Sequence, residues 1–556
     1  MPPTAQRPLP RLGEENEFFW TSGEDGRLRF QSCGACGELR HPPLPVCPSC
    51  RDTRVEIAAV SGRGVVAGFT HNLQPWIPAI PPPYVIAIVA IEEDPRVRLT
   101  TNIVGCDPDR VKVGMRVQVR FERHEDVWLP FFEPSGDLDP GELPDDVFPS
   151  ERVRPMVRQE KFEDKVAITG VGLSQVGRRL MRDPLDLAVE ACLAAVEDAG
   201  LELSDIDGLA TYPAGDPHGG HSEGGILALE EALRLNPTWI NGTPHTPGQT
   251  GAVVEAMLAV AAGLCRHVLC FRTVWEATFV ARQRAAGSAA FASAQGGSGR
   301  IGGDMQWRVP FGAASAANWI AMNASNHFHR YGTTRETLGW IALNGRRNAA
   351  LNPLAIYREP LTMDDYLSAR IISSPFGLFD CDIPCDGSTA LVISAIDAAA
   401  DTPHGAVGVE AVGTQIAERI SWDQGTLAHE PQVNGPAAHL WTRTSLKPSD
   451  VDAAELYDGF SFNCLSWLEA LGFCATGEAK DFLEGGTRIA LDGELPLNTN
   501  GGQLSMGRLH GFGFLQEAVV QLRGQAGERQ VKDAQVVAVS TGGGMPGGCF
   551  LLTAPR

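Results

Sequence analysis

From residue 165 to the end, the chain repeats its own order, and that limits its fold more than any other feature. Val166-Ala-Ile-Thr-Gly-Val-Gly172 is answered by Val407-Gly-Val-Glu-Ala-Val-Gly413. Ser204-Asp-Ile-Asp207 leading to Tyr212 is answered by Ser449-Asp-Val-Asp452 leading to Tyr457. His245-x-x-Gly248 before an apolar helix returns as His510-x-x-Gly513, and Val268-Leu-Cys returns as Val536-Val-Ala. Two βα-rich halves of one order predict a duplicated α/β domain, residues 165–404 and 405–556, with a pseudo-twofold axis and a central site. Residues 275–400 then form a long insertion in the first half. Within it, His327 and His329 read as surface or loop residues rather than a metal pair.

The first helix after the Lys165–Gly172 strand shows the local logic. Asp183-Pro184 supplies an N-cap and a first-turn proline, and Gly200 lies beyond the far end. This helix opens about a dozen residues after Gly170-Val-Gly172, too far for its N-terminus to cradle a dinucleotide pyrophosphate at that turn.

The N-terminal part is of another kind. Cys33-Gly-Ala-Cys36 and Cys47-Pro-Ser-Cys50 form two CxxC pairs ten residues apart. Four thiolates on two knuckles suit a closed tetrahedral zinc site, so Cys33, Cys36, Cys47 and Cys50 are read as ligands of structural Zn2+. Residues 1–55 are taken as an N-terminal segment with a zinc ribbon, and 56–132 as a small β-barrel. Short runs at Val55–Val60, Gly64–His71, Tyr84–Ile91, Arg96–Asn102 and Met115–Arg123 supply its strands. The Trp76–Tyr84 stretch either docks on the α/β domain, covers an acyl group, or is a plain barrel loop. Residues 133–164 form a linker that begins rich in proline and acid and reads as extended.

A ribbon next to a small barrel raises the question of nucleic acid. Lys and Arg number 46 against 67 Asp and Glu, a net charge of −21, which argues against it. No apolar run approaches the roughly 20 residues of a membrane span. The N-terminus has no apolar core of a secretion signal. The thirteen cysteines are thinly spread outside the two pairs, pointing to a reducing cytoplasm.

The ribbon, Pro81-Pro82-Pro83-Tyr84 and Asn102-Ile-Val-Gly105 resemble the DUF35 family of rubredoxin-like zinc ribbon plus OB-fold proteins over about residues 15–135. The duplicated part resembles the thiolase superfamily, in its sterol-carrier and lipid-transfer-protein branch. The supporting stretches are Tyr331-Gly-Thr-Thr, Asn352-Pro353, Cys385-Asp-Gly387, Tyr457-Asp-Gly-Phe460 and Asn498-Thr-Asn-Gly-Gly502. The resemblance implies a duplicated α/β thiolase-like fold in α-β-α-β-α layers, an acyl-CoA thioester substrate in which CoA is part of the substrate, and a homodimer. The chain looks like a lipid-transfer-protein-type steroid side-chain aldolase fused to its DUF35 partner.

The departures from a thiolase are informative. The nucleophile stretch is Thr243-Pro-His245-Thr-Pro-Gly248-Gln, without cysteine. Gly507-Arg508-Leu509-His510-Gly511 replaces Gly-His-Pro, and Ser540-Thr541-Gly542 stands where the second cysteine belongs. Chemistry without an acyl-enzyme includes retro-aldol cleavage of a β-hydroxyacyl-CoA. A thiolase-type acyltransferase and a noncatalytic acyl-CoA-binding scaffold are the alternatives. Tyr457 is the leading catalytic candidate, where thiolases carry the histidine of HDCF. His510 and His245 follow, because the repeat places both before helices that face the centre. The aldolase relatives' second tyrosine has no match here. Arg508 either binds a phosphate or pairs with a carboxylate. Asn463 and Gly543 complete the expected substrate-binding set.

Overall fold

The computed structural model describes residues 6–136, 141, 143, 150–157, 159–213, 218–242, 249–286, 300–419, 421–430, 432–542 and 547–555. Most of the acidic stretch of the linker lies outside the described residues.

The ribbon is a three-stranded sheet of Arg29–Cys33, Leu39–Arg40 and Val55–Ala59. The run Val55–Val60, expected in the barrel, therefore belongs to the ribbon. Its ladder pairs Val55 with Cys33 and Ala59 with Arg29, at the edge of the ribbon sheet. The barrel consists of β1 (Arg63–Asn72), β2 (Tyr84–Ile91), β3 (Arg98–Ile103), β4 (Arg116–His124) and β5 (Val127–Pro134). It runs in the order β1-β2-β3-β5-β4 and closes by pairing β4 with β1, which leaves no edge along the closure.

The α/β domain contains β6 (Val166–Leu173), α1 (Pro184–Asp198), β7 (Gly208–Thr211), β8 (Trp239–Gly242), α2 (Gly251–Ala261) and β9 (His267–Trp275). The insertion adds helices α3 (Ala316–Tyr331) and α4 (Arg335–Ala350), and β10 (Asp386–Ala395) completes the first half. The second half comprises β11 (Val407–Gly413), α5 (Asn434–Trp441), β12 (Ala453–Glu455), α6 (Ser461–Ala470), α7 (Gly511–Leu522), β13 (Val536–Thr541) and β14 (Gly548–Thr553). Their order is β8-β7-β9-β10-β6-β11-β14-β13-β12. Ala167 with Gly408 and Ile168 with Val407 join the halves at β6 and β11. Outward from that junction, β10, β9 and β7 mirror β14, β13 and β12, the duplication expected from the repeat.

Helix α1 covers the outer face of the first half and α5 that of the second, while α2 and α7 pack on the inner faces. The α1 N-terminus is capped as expected, Asp183 accepting the Leu185 N–H at 2.9 Å. Gly170 and Gly172 let α1 approach closely: a Cβ on either would stand 2.2 and 2.1 Å from the Ala195 and Ala191 carbonyl oxygens. One apolar core spans both halves, with Trp467, Phe512, Phe514 and Phe550 buried in it.

The insertion binds the two units together. Its hairpin Ile371–Ser373 and Phe376–Gly377 pairs with β1 through Ser373 and Asn72, extending the barrel sheet. Strand β1 lies directly on α3, where a Cβ on Gly68 would stand 2.3 Å from the Met322 carbonyl oxygen. Trp307 of the insertion stacks on Trp20 at 5.0 Å between ring centroids and meets His41 at 4.8 Å. The Trp76–Tyr84 stretch docks here: Ile77 and Ile80 pack on Val309, and the Tyr84 hydroxyl donates to the Gly312 carbonyl at 3.0 Å. Contrary to the loop reading, His327 is buried within α3, whereas His329 on the same helix is exposed. Helical spacing explains the split, since residues two apart face nearly opposite sides. No helix among the described residues is long and apolar enough to cross a membrane.

Candidate active site

The inner helices α2 and α7 begin at the same place. Gln249, just before α2, accepts the Gly511 N–H at 3.1 Å, and Thr250 donates to Thr541 at 3.2 Å. Gly511 permits this approach, because a Cβ there would stand 2.6 Å from Thr541 Cγ2.

Tyr457 lies two residues beyond the carboxyl end of β12, at 4% exposure. Its N–H donates to Ser540 Oγ at 2.9 Å. Its ring sits between two glycines. A Cβ on Gly459 would stand 2.7 Å from Cε1 and 2.8 Å from the phenol oxygen, and one on Gly542 would stand 3.3 Å from Cδ1. Burial, reinforced by the charges of Asp382 and Glu430, pushes the phenol well above its ordinary value; Arg508 and a hydrogen bond with Gln249 oppose this only in part. At neutral pH the Tyr457 phenol therefore keeps its proton. Gly459→Ala is expected to displace this ring, cut kcat by about a hundredfold and cost about 1–3 kcal/mol of stability through overpacking, in paired activity and melting measurements.

His510 caps α7 at φ +59°, a left-handed conformation strained for a non-glycine residue. Its N–H donates to Gln503 Oε1 at 3.1 Å, and Arg272 Nη2 donates to its Nδ1 at 2.8 Å. A guanidinium can only donate, so Nδ1 is the acceptor and the ring proton is on Nε2. Burial, then Arg272, Arg508 and His221, hold the imidazole well below its usual range and keep it neutral. What His510 offers is one Nε2–H donor.

Arg508 lies between two carboxylates. Nη1 donates to Asp382 Oδ1 and Oδ2 at 3.0 and 3.3 Å, and Nη2 bonds Glu276. Glu276 also meets His221 Nε2 at 3.1 Å. Although burial opposes it, Asp382 and Glu276 hold Arg508 firmly protonated, while burial, opposed by Arg508, pushes the Asp382 carboxyl up to about 7. Asn463 accepts the Phe460 N–H at 2.7 Å, leaving its Nδ2 buried without a hydrogen-bond partner among the described residues. Gln503 Nε2 and Trp467 Nε1 are in the same position. His245 and Gly543 lie outside the described residues.

Sequence reading missed Arg272, Glu276, Asp382, Glu430 and Gln249. Only Arg272 left a local signal, as the one formal charge between Val268 and Trp275 of an otherwise buried strand. Cys265, Cys464 and Cys549 offer no replacement nucleophile: all three are buried, and burial pushes their thiols up.

Two clusters have ligand chemistry among the described residues. In the ribbon, Cys33 and Cys50 sulfurs lie 3.5 Å apart and those of Cys36 and Cys47 3.7 Å. Zn–S bonds of about 2.3 Å in a tetrahedron require sulfurs about 3.8 Å apart, so the four thiolates fit zinc. The other cluster closes on itself. His327 and His429 place Nε2 3.1 and 2.7 Å from Glu469 Oε2, while Oε1 accepts the Gly477 and Ala479 N–H groups. Thr333 completes it at His327 Nδ1, 3.0 Å away.

This second cluster ties stability to pH. Burial raises the Glu469 carboxyl, but the two imidazole hydrogen bonds outweigh it and hold it down at about 2. Burial also lowers His327, with Glu469 opposing. Both groups bind fewer protons folded than unfolded, so their stabilisation is present near neutrality. It is lost on acidification, from about pH 6.5 for His327 and from about pH 4.3 toward 2 for Glu469. The Glu469 share is on the order of 3 kcal/mol. Glu469→Gln is expected to weaken the fold at pH 7 and flatten the acid dependence between about pH 4.3 and 2, read by denaturant unfolding at each pH.

Comparison with known proteins agrees with this architecture. Residues 20–56 match the ChsH2 rubredoxin-like zinc ribbon domain and residues 58–122 the ChsH2 C-terminal OB-fold domain. Residues 426–548 match the thiolase C-terminal domain-like family. The chain is 36% identical over 398 residues to a steroid side-chain-cleaving aldolase of Thermomonospora curvata, covering 70% of this chain and 98% of that protein. It is 33% identical over 397 residues to the 17-hydroxy-3-oxo-4-pregnene-20-carboxyl-CoA lyase of Mycobacterium tuberculosis, covering 69% and 97%. A solved Ltp2-ChsH2(DUF35) aldolase superposes with a TM-score of 0.60 at 33% identity, covering 70% of this chain and 98% of the solved one.

Proposed function

Because this chain belongs to the family of steroid side-chain-cleaving aldolases, here continuous with a ChsH2-type zinc ribbon and OB-fold, we propose that it cleaves a β-hydroxyacyl-CoA by a retro-aldol reaction. The observation that carries this is a thiolase-like centre occupied by Tyr457 and His510, with no cysteine in either nucleophile stretch.

Each proposed role follows from a protonation state. A base takes the β-hydroxyl proton, the Cα–Cβ electron pair passes into the thioester as an enolate, and a ketone or aldehyde leaves. His510 Nε2–H and the unpartnered amide of Asn463 are donors suited to the enolate oxygen. Tyr457 returns a proton to Cα. Arg508, held between Asp382 and Glu276, shapes the wall rather than gripping a phosphate. Incubation with 17-hydroxy-3-oxo-4-pregnene-20-carboxyl-CoA, followed by mass spectrometry, tests the proposal. A 17-ketosteroid and a three-carbon acyl-CoA should appear without added free CoA, and cysteine alkylation should leave the rate intact. CoA-dependent acyl exchange sensitive to alkylation would instead establish an acyltransferase.

The acyl-CoA site sits in a domain suited to pairing. Strand β8 is the outermost strand of its sheet, with Ile240 52% and nearby Leu227 74% exposed. An open apolar edge of this kind supports a homodimer through the α/β domain. Light scattering should give twice the chain mass, and Ile240→Lys should shift it to one chain. Thirteen cysteines without a disulfide support a cytoplasmic setting.

A further inference from the structure

The retro-aldol reading needs a base, and most groups around Tyr457 are unsuited to it. His510 Nδ1 accepts from Arg272, and its other nitrogen carries the proton. Two carboxylates act on the Tyr457 phenol, Asp382 and Glu430. Both oxygens of Asp382 face Arg508 Nη1. Glu430 is the other, 2% exposed, with its N–H donating to Ser466 at 2.9 Å. A Cβ on Gly542 would stand 3.4 Å from Glu430 Oε2 and 3.3 Å from both Tyr457 Cδ1 and Trp467 Nε1, so carboxylate and phenol ring flank one glycine.

Glu430 ends a segment, Ser421–Glu430, that is held by both structural units. From the N-terminal side, Thr100 donates to Asp423 Oδ2 at 2.7 Å, and Arg98 Nη1 donates to the Gly425 carbonyl at 2.7 Å. Gln424 Nε2 donates to the Arg98 carbonyl at 2.9 Å, and Leu427 packs with Ile86 and Ile88 of β2. Just ahead of the segment, Arg419 donates to the His41 carbonyl of the ribbon at 2.8 Å. From the α/β side, His429 is held by Glu469 at 2.7 Å. A continuous path of about eight residues thus runs from the barrel surface to the catalytic tyrosine.

We propose that Glu430 is the general base for the β-hydroxyl, and that the fused ribbon and barrel position it through Ser421–Glu430. This rests on Tyr457 being the proton donor. The Glu430 carboxylate takes the hydroxyl proton as the Cα–Cβ bond breaks, Tyr457 gives its proton to Cα, and the proton on Glu430 restores Tyr457. No other reactant is consumed. Thr100 and Gln424 are positioning residues, since they act only through the segment.

The test uses the full-length, zinc-loaded protein with 17-hydroxy-3-oxo-4-pregnene-20-carboxyl-CoA. Glu430→Gln should lower kcat by about a thousandfold, leave KM within about threefold, and remove the acid limb of the pH profile of kcat/KM. Thr100→Val should lower kcat by about tenfold with KM and zinc content unchanged, and Thr100→Ser should restore it. Gln424→Ala breaks a different bond across the same boundary and should reproduce the loss, so the outcome does not depend on one variant folding. Glu430→Gln at wild-type rates, with Tyr457→Phe inactive, would overturn the base assignment and leave the lyase reading standing. Full turnover by Tyr457→Phe would overturn its role as proton donor, and with it the base assignment that rests on that role. Thr100→Val and Gln424→Ala both at wild-type kcat would overturn the positioning role.

Discussion

Tyr457→Phe is expected to lower kcat by about a thousandfold or more while leaving the fold and CoA-ester binding intact. The substitution removes one oxygen and no packing. The ring remains between Gly459 and Gly542, with Phe514 edge-on at 6.3 Å. What disappears is the only proton this side chain can give, at a site where burial keeps it on the phenol. Stopped assays should show the rate loss without a matching rise in KM, because the interaction removed is one made during proton transfer. A loss confined to KM would instead make Tyr457 a binding residue.

The largest effect on stability is expected from Arg508→Gln, at about 3–5 kcal/mol, because it strands two buried carboxylates. Asp382 and Glu276 side chains are only 9% and 12% exposed, and Arg508 bonds both. Glutamine can donate to one of them but brings no charge. Arg508→Lys is expected to recover only part of the loss, since one ammonium cannot reproduce a fork that reaches two anions at once. Chemical denaturation of the three proteins checks this through their midpoints. If Arg508→Gln kept full stability but lost CoA-ester affinity, the guanidinium would be a phosphate ligand instead.

Much of this molecule can be read from short stretches of sequence. Two CxxC pairs are enough to specify a tetrahedral thiolate site, because the ligands are local. The repeat specifies the mirrored strand order, because each half folds by the same pattern of apolar strands and helices. Tyr457 stands out through its motif and its place after a repeated strand. The charged surroundings of Tyr457 do not stand out. Arg272 and His510 are 238 residues apart in sequence, and Arg508 reaches Glu276 across 232. No local period encodes such pairings; they exist only once the insertion and both halves have closed. The alternation of Val55–Val60 identifies a strand but not its partner, so it reads as barrel although it pairs in the ribbon. His327 looked like a loop residue because its partners, His429 and Glu469, lie more than 100 residues downstream.

Running the reaction in D2O tests the central claim most directly. With 17-hydroxy-3-oxo-4-pregnene-20-carboxyl-CoA and no free CoA, the wild-type protein should release a three-carbon acyl-CoA carrying one deuterium at Cα at early times. The Tyr457 proton exchanges with solvent before it reaches the enolate. Cleavage that required free CoA, or a product without solvent deuterium, would contradict retro-aldol chemistry at this centre.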